Sequence, residues 1–195
     1  MLKKFLFSAL ILCLNFVLCS LGYATMSDTH DRKGVQLAQC LEEYWGVDRY
    51  TSAYIVRKFD LLLQDPYDHH IIDGLIEKSK NLNIDFLAFK EIQRLPEDDG
   101  VLRAPEQHLV VFENPYVRIL WGSTASGESE PFHVHAWKSL MVVLKPTTYE
   151  VAYPNGVVEI WEGNRGLYEL PANERYACTN IGDTADEILR FEIKD

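Results

Sequence analysis

Positive charge is scarce in this chain. Nineteen lysines and arginines face 29 aspartates and glutamates, giving a formal net charge of −10 and an isoelectric point near 5.0. No basic cluster interrupts that deficit, so no nucleic-acid footprint is present, and an anionic membrane surface would repel the protein. Familiar catalytic signatures are missing too: there is no nucleophile elbow, phosphate-binding loop, CxxC pair or HExxH zinc-protease motif. The absence of repeats and low-complexity tracts argues against a solenoid or a disordered chain. What remains is ordinary in bulk: 195 residues, 47% hydrophobic, enough for one good core and a smaller satellite.

One long apolar run opens the chain. "MLKK" is basic, "FLFSALILCLNFVLCSL" is an apolar run broken by Ser8 and Asn15, and Gly22 and Ala24 supply small side chains three and one positions before a cut after Ala24. This is the anatomy of a secretory signal. Residues 1–24 are expected to be a cleaved signal peptide, and the mature protein periplasmic or secreted with no membrane contact. Two alternatives are an uncleaved anchor, since residues 5–23 are about as long as a short spanning helix, and lipid attachment at Cys19, where Leu18 replaces the small residue that attachment prefers. Removing residues 1–24 takes Lys3 and Lys4 and no acid, leaving 17 basic and 29 acidic residues and a charge of −12. Four cysteines become two, Cys40 and Cys178. In an oxidising compartment they are expected either as a Cys40–Cys178 disulfide tying the two ends of the chain or as two buried thiols.

Residues 25–102 read as helical. Leu37, Leu41, Tyr44 and Trp45 recur at helical spacing, as do Ile55, Phe59, Leu62 and Leu63. Asp48 or Thr51 suits the cap of the second segment, Asp65-Pro66 its end. "HIIDGLIEKSK" and "IDFLAFKEIQRL" read as two further amphipathic helices. Residues 103–195 change grammar: eight or nine short β-rich runs separated by turn signals, with "YEVAYPNGVVEIW" the clearest hairpin. A sandwich or barrel follows. If "FHVHAWKSLMVVL" is one extended strand, both of its faces are largely apolar, so something covers the outer one: the helices or a second subunit, as in a homodimer.

The stretch Gly127-Glu-Ser-Glu-Pro-Phe-His-Val-His135 matches the opening of the first motif of the cupin superfamily, Gly, five residues, His-x-His. "PANERYACTN" fits the frame of its second motif, with Pro171 and Asn180 in place. Together with Phe112-Glu-Asn114, Val117-Arg118, the run from Glu130 to Ser139 and Asn180-Ile-Gly-Asp183, the sequence from about residue 104 to 195 resembles small single-domain cupins. The resemblance implies an α+β, mainly β fold with a C-terminal jelly-roll barrel after the helical region. It also implies a divalent transition metal (Fe, Mn, Ni or Zn) held by three histidines and a glutamate.

Two of those four ligands are replaced here. His133 and His135 remain, about 7 Å apart along a strand on one face; the glutamate position falls on Ser139 or Leu140, the third histidine position on Tyr176, and the second motif's glycine is Asn173. A phenol with a pKa near 10 is a poor ligand. Glu128, Glu130 and Cys178 are candidate substitutes; Glu130 faces away from His133 on a regular strand unless Pro131 re-aims it. The expectation is a degenerate two-histidine site in a ligand pocket of His133, His135, Tyr176, Trp137, Ser139 and Arg118. His108, at the start of a strand, reads as structural, and His69-His70 beside Asp65 and Asp68 as loop residues. Three functions compete: a small-molecule binding module, a metal-dependent dioxygenase, isomerase or lyase acting on a small metabolite, and an interaction protein working through its helices.

Overall fold

In the computed structural model, which describes residues 29–90 and 94–194, the helical grammar gives four helices: α1 (Thr29–Tyr44), α2 (Arg49–Lys58), α3 (Asp60–Gln64) and α4 (His69–Lys80). The expected export segment lies outside the described residues. Asp48 caps α2 as its position suggests, its carboxylate accepting from the backbone N–H groups of Tyr50 and Thr51. Asp65 closes α3, and Pro66 begins a single 3-10 turn. No helix among the described residues is long and apolar enough to cross a membrane.

The expected helix at "IDFLAFKEIQRL" does not form over residues 84–90, and 91–93 fall outside the description. Asn83 turns left-handed at φ 49°, and the Asp85 carboxylate accepts from the Leu87 N–H, a local bond that competes with helix winding. A short helix absent from the sequence reading, α5 (Gly100–Arg103), follows instead, capped by Asp99.

Nine strands succeed it: β1 (Leu109–Glu113), β2 (Val117–Gly122), β3 (Ser129–His133), β4 (Ser139–Lys145), β5 (Thr147–Ala152), β6 (Val158–Gly163), β7 (Gly166–Leu170), β8 (Tyr176–Asn180) and β9 (Glu187–Ile193). β5 and β6 form the hairpin read from the sequence, with Gly156 at φ 84° in its loop, a conformation that glycine adopts at no steric cost. Outward from that tip the antiparallel pairs nest: β4 with β7, β3 with β8, β2 with β9. The long ribbon is rolled so that β4 also lies on β9 and β5 on β8, giving sheets β1-β2-β9-β4-β7 and β3-β8-β5-β6. That is a jelly roll.

The roll splits one expected strand. "FHVHAWKSLMVVL" is two strands in different sheets: β3 ends at His133, the chain bends at Ala136 and Trp137, and β4 begins at Ser139. Alternation across the whole segment therefore fails, although within β4 both faces are buried. The outer face of the five-stranded sheet packs on the helices. Ile119, Val142 and Phe191 join Leu37, Trp45 and Leu62 in one apolar cluster, each such side chain contributing about 1.5–3 kcal/mol when fully buried. Trp45 lies 5.1 Å from Phe191, centroid to centroid, and donates its indole N–H to Ser79 at 2.8 Å.

The Cys40–Cys178 disulfide is not formed. Both are buried free thiols. Cys40 belongs to the helix–sheet cluster, whereas Cys178 lines the barrel interior, on the opposite side of the five-stranded sheet.

Because helices and barrel share this cluster, Trp45→Ala should destabilise the protein by about 3–5 kcal/mol, and urea denaturation followed by fluorescence and by far-UV dichroism should give one coincident transition. Alkylation of the denatured protein without reductant, read by peptide mass, should label both Cys40 and Cys178.

Candidate metal and ligand site

Three histidines converge inside the barrel: the expected His133 and His135, and His108, which arrives from the segment between α5 and β1. All are buried. Their ring centroids are 5.0, 5.0 and 5.2 Å apart, close to an equilateral triangle. One ligand nitrogen from each lies within 4.8 Å of the others.

The second nitrogen of each ring is already committed. Nδ1 of His108 meets the Ala104 carbonyl oxygen at 3.1 Å, Nδ1 of His133 the Pro131 carbonyl at 2.9 Å, and Nδ1 of His135 the Glu192 carboxylate at 2.7 Å. These acceptors require Nδ1 to carry the proton, which leaves Nε2 of each ring as a bare lone pair. Nε2 of His133 is buried with no hydrogen-bond partner. Burial, the largest cause in all three, holds the imidazoles below the usual range, His108 at about 4. At neutral pH the cluster is three neutral ligands with fixed tautomers, which suits a divalent ion.

Glu130 joins them through an irregularity. β3 pairs Glu130 with Cys178 and His133 with Tyr176, so three residues on one strand span two on the other. Pro131 and Phe132 form a β-bulge, and Glu130 and His133 come to share the inner face. Its Oε1 accepts from Thr124 at 2.7 Å, and its Oε2 lies 3.6 Å from Nε2 of His133 and 3.8 Å from Nε2 of His108. Gly100 backs the cluster: a Cβ there would sit 3.1–3.3 Å from all three imidazoles, so the close approach leaves little room for a side chain.

The site opens onto a cavity of about 240 Å³. His135 and Tyr176 line it as expected, and Cys178, a candidate ligand in the sequence, lines it too. Burial lifts the Tyr176 phenol to about 12 and pushes the Cys178 thiol well above its usual range, so both stay protonated and are weak ligands. Trp137, Ser139 and Arg118 do not line it, and His133 stands behind Tyr176 without lining it, which corrects the expected pocket. The bend after His135 carries Trp137 away to stack on the Arg118 guanidinium at 4.8 Å, and Ser139 faces Glu192 across the ladder. Arg118 lies fully buried in ion pairs with Asp99 and Glu192. Residues 69–70 remain ordinary helix-end residues, His69 bonded to the Leu63 carbonyl oxygen and His70 to that of Tyr67.

The frame of both motifs is also in place. Gly127 takes φ 79°, and its N–H bonds the Asn180 carbonyl. Asn173, standing where the second motif has glycine, adopts φ 60°, which asparagine tolerates better than most residues. Asn180 holds the Thr124 and Thr184 carbonyls through its side-chain nitrogen. The barrel is a jelly roll in which both motif frames stand. Solved cupins resemble it at that level. A cupin domain from Bordetella pertussis Tohama I is 21% identical over 45% of this chain and 92% of its own, with a TM-score of 0.42. A cupin superfamily protein from Desulfitobacterium hafniense DCB-2 is 17% identical over 55% and 100%, TM-score 0.36. The polyketide cyclase RemF from Streptomyces resistomycificus is 17% identical over 54% and 81%, TM-score 0.38. No family model and no curated protein matches the sequence.

Sequence reasoning missed His108, Glu192 and Arg190. Nothing local marks His108, 25 residues before His133. The β9 pair leaves a readable signal: Arg190 and Glu192 alternate with Leu189, Phe191 and Ile193, two charges on the inner face of an otherwise apolar strand.

Histidines in the unfolded chain take up protons near pH 6.5, whereas folded His108 resists to about 4 and the other two are also held down. The stability they contribute is complete above pH 6.5 and is lost as pH falls towards 4. Urea midpoints of metal-free protein between pH 7.5 and 4.5 should show this decline, with a shallower slope in His108→Gln.

Proposed function

We propose that this protein is a metal-centred cupin that binds a small organic molecule in its barrel. The observation that carries this reading is the shared orientation of His108, His133 and His135, with every Nδ1 tied to oxygen and every Nε2 left bare. His108 supplies the third imidazole that the second motif lacks, where Tyr176 stands at the histidine position, so the site has three imidazoles where two were expected. Imidazole donors suit Fe, Ni or Zn, and a carboxylate beside them suits Mn. Glu130 supplies the nearby carboxylate, either as a fourth ligand or as an acceptor for a ligand's proton. A bound ion would supply Lewis acidity at the inner end of the cavity.

The protein's own groups divide the remaining work. Gly100 and the buried Arg118–Glu192 pair hold the imidazoles in place. Tyr176 offers a neutral phenol at the cavity wall. An enzyme of the dioxygenase, isomerase or lyase class is the second reading, favoured by Glu130 standing within 4 Å of two Nε2 atoms, where a base would act. An exported location is part of the proposal and rests on the sequence of residues 1–24.

Metal analysis tests the centre. Purified protein reconstituted with Fe(II), Mn(II), Ni(II) or Zn(II) should retain close to one ion per chain. His108→Ala should lose it, and Tyr176→Phe should keep it. Absence of metal after reconstitution, or full retention in His108→Ala, overturns the reading.

A further inference from the structure

We infer that the cavity takes a small monocarboxylate with an apolar body, its carboxylate held by Arg190 and the Tyr176 hydroxyl beside the three histidines. This deepens the small-molecule part of the proposed function and names the ligand class.

Arg190, in the middle of β9, lines the cavity and is only 3% exposed. A guanidinium so deeply buried normally sits against a carboxylate. No carboxylate among the described residues hydrogen-bonds it. The neighbouring one, Glu192, is 3.8 Å from Nε, and both of its oxygens are taken, Oε1 by His135 Nδ1 and Oε2 by Arg118 Nε. Arg190 Nε therefore has Glu192 as a distant ion-pair neighbour but is buried without a hydrogen-bond partner. Its one side-chain bond runs from Nη1 to the Tyr176 hydroxyl at 3.2 Å. There the phenol oxygen accepts, so its own hydrogen remains to be given. Burial keeps that phenol protonated, at about 12. A guanidinium edge and a phenol O–H side by side form a donor pair matched to one planar oxyanion.

The rest of the wall defines what the oxyanion is attached to. Met141, Ile160, Trp161, Leu170 and Ile188 are apolar, and about 240 Å³ is small for a ligand pocket. Four acidic residues also line it, the buried Glu130 and Asp186 and the exposed Glu159 and Glu174, and they disfavour multiply charged anions such as phosphate esters. One negative charge at the inner end and a compact hydrocarbon body satisfy both halves of the cavity.

Calorimetry with hexanoate and phenylacetate, their amides, and inorganic phosphate tests this on metal-loaded and metal-stripped protein. Each acid should bind at least tenfold tighter than its amide, in both metal states, with phosphate failing to compete. Arg190→Gln should reduce the acid-over-amide preference to within about twofold with metal content unchanged, and Tyr176→Phe should weaken acid binding several-fold, a check that holds if Arg190→Gln folds poorly. Acids binding no better than amides, phosphate displacing them, or a preference surviving Arg190→Gln would each overturn the inference. A preference that vanishes on metal removal yet survives Arg190→Gln would assign the anion to the metal and overturn it too. Loss of the metal with the preference intact would sink the metal centre alone and leave the Arg190 subsite standing.

Discussion

The Glu192 carboxylate, buried near the end of β9, is the contact on which the rest of the site depends. One oxygen fixes His135, and the other meets Arg118, whose Nη2 reaches Asp99 at 3.0 Å. Asp99 is the cap of α5, the short helix that packs Gly100 against the imidazoles and leads on to His108. One chain of charges thus joins the barrel floor, the metal-facing ring and the connector that delivers the third histidine. Buried ion pairs are poor sources of net stability because desolvation offsets attraction, while losing one partner typically costs about 3–5 kcal/mol. The network's value is in position: it sets the direction in which His135 points and where the connector enters.

The helices have a role that follows from the same geometry. They cover the outer face of the sheet whose inner face carries Arg118, Arg190 and Glu192. Burial on both sides keeps these charges dry, which strengthens each contact and depresses each histidine. The acidic exterior and the guanidinium interior therefore differ in character: one repels polyanions, and the other is the part of the cavity that the proposal gives to a single negative charge.

Much of the fold was legible in the sequence because its signals are local. Helical spacing around Leu37 and Leu41, the Pro-Asn-Gly turn and the alternating runs each report a few neighbouring residues, and the Gly127 frame adds a known spacing. The site was legible only in part, because its remaining members are set by pairing between distant strands. His133 and His135 share a motif, but His108 reaches them through a connector with no pattern of its own. Trp137 and Ser139 were misplaced for the opposite reason: alternation was carried across a bend that moves the chain from one sheet to the other. The cysteines were left open between a disulfide and two buried thiols, since a count of thiols does not say which side of a sheet each occupies, and the second alternative is the one found.

The bulge at Pro131 and Phe132 carries a lesson about irregularity. Had the strand run evenly, with one residue fewer, Glu130 and the first histidine would still face inward, two apart opposite Cys178 and Tyr176. The extra residue is therefore not needed to aim the glutamate. What it adds is the carbonyl that sits under Nδ1 of His133. The irregularity between Glu130 and His133, which share one face, thus sets the tautomer of the ring, leaving Nε2 of His133 as the nitrogen that faces its neighbours.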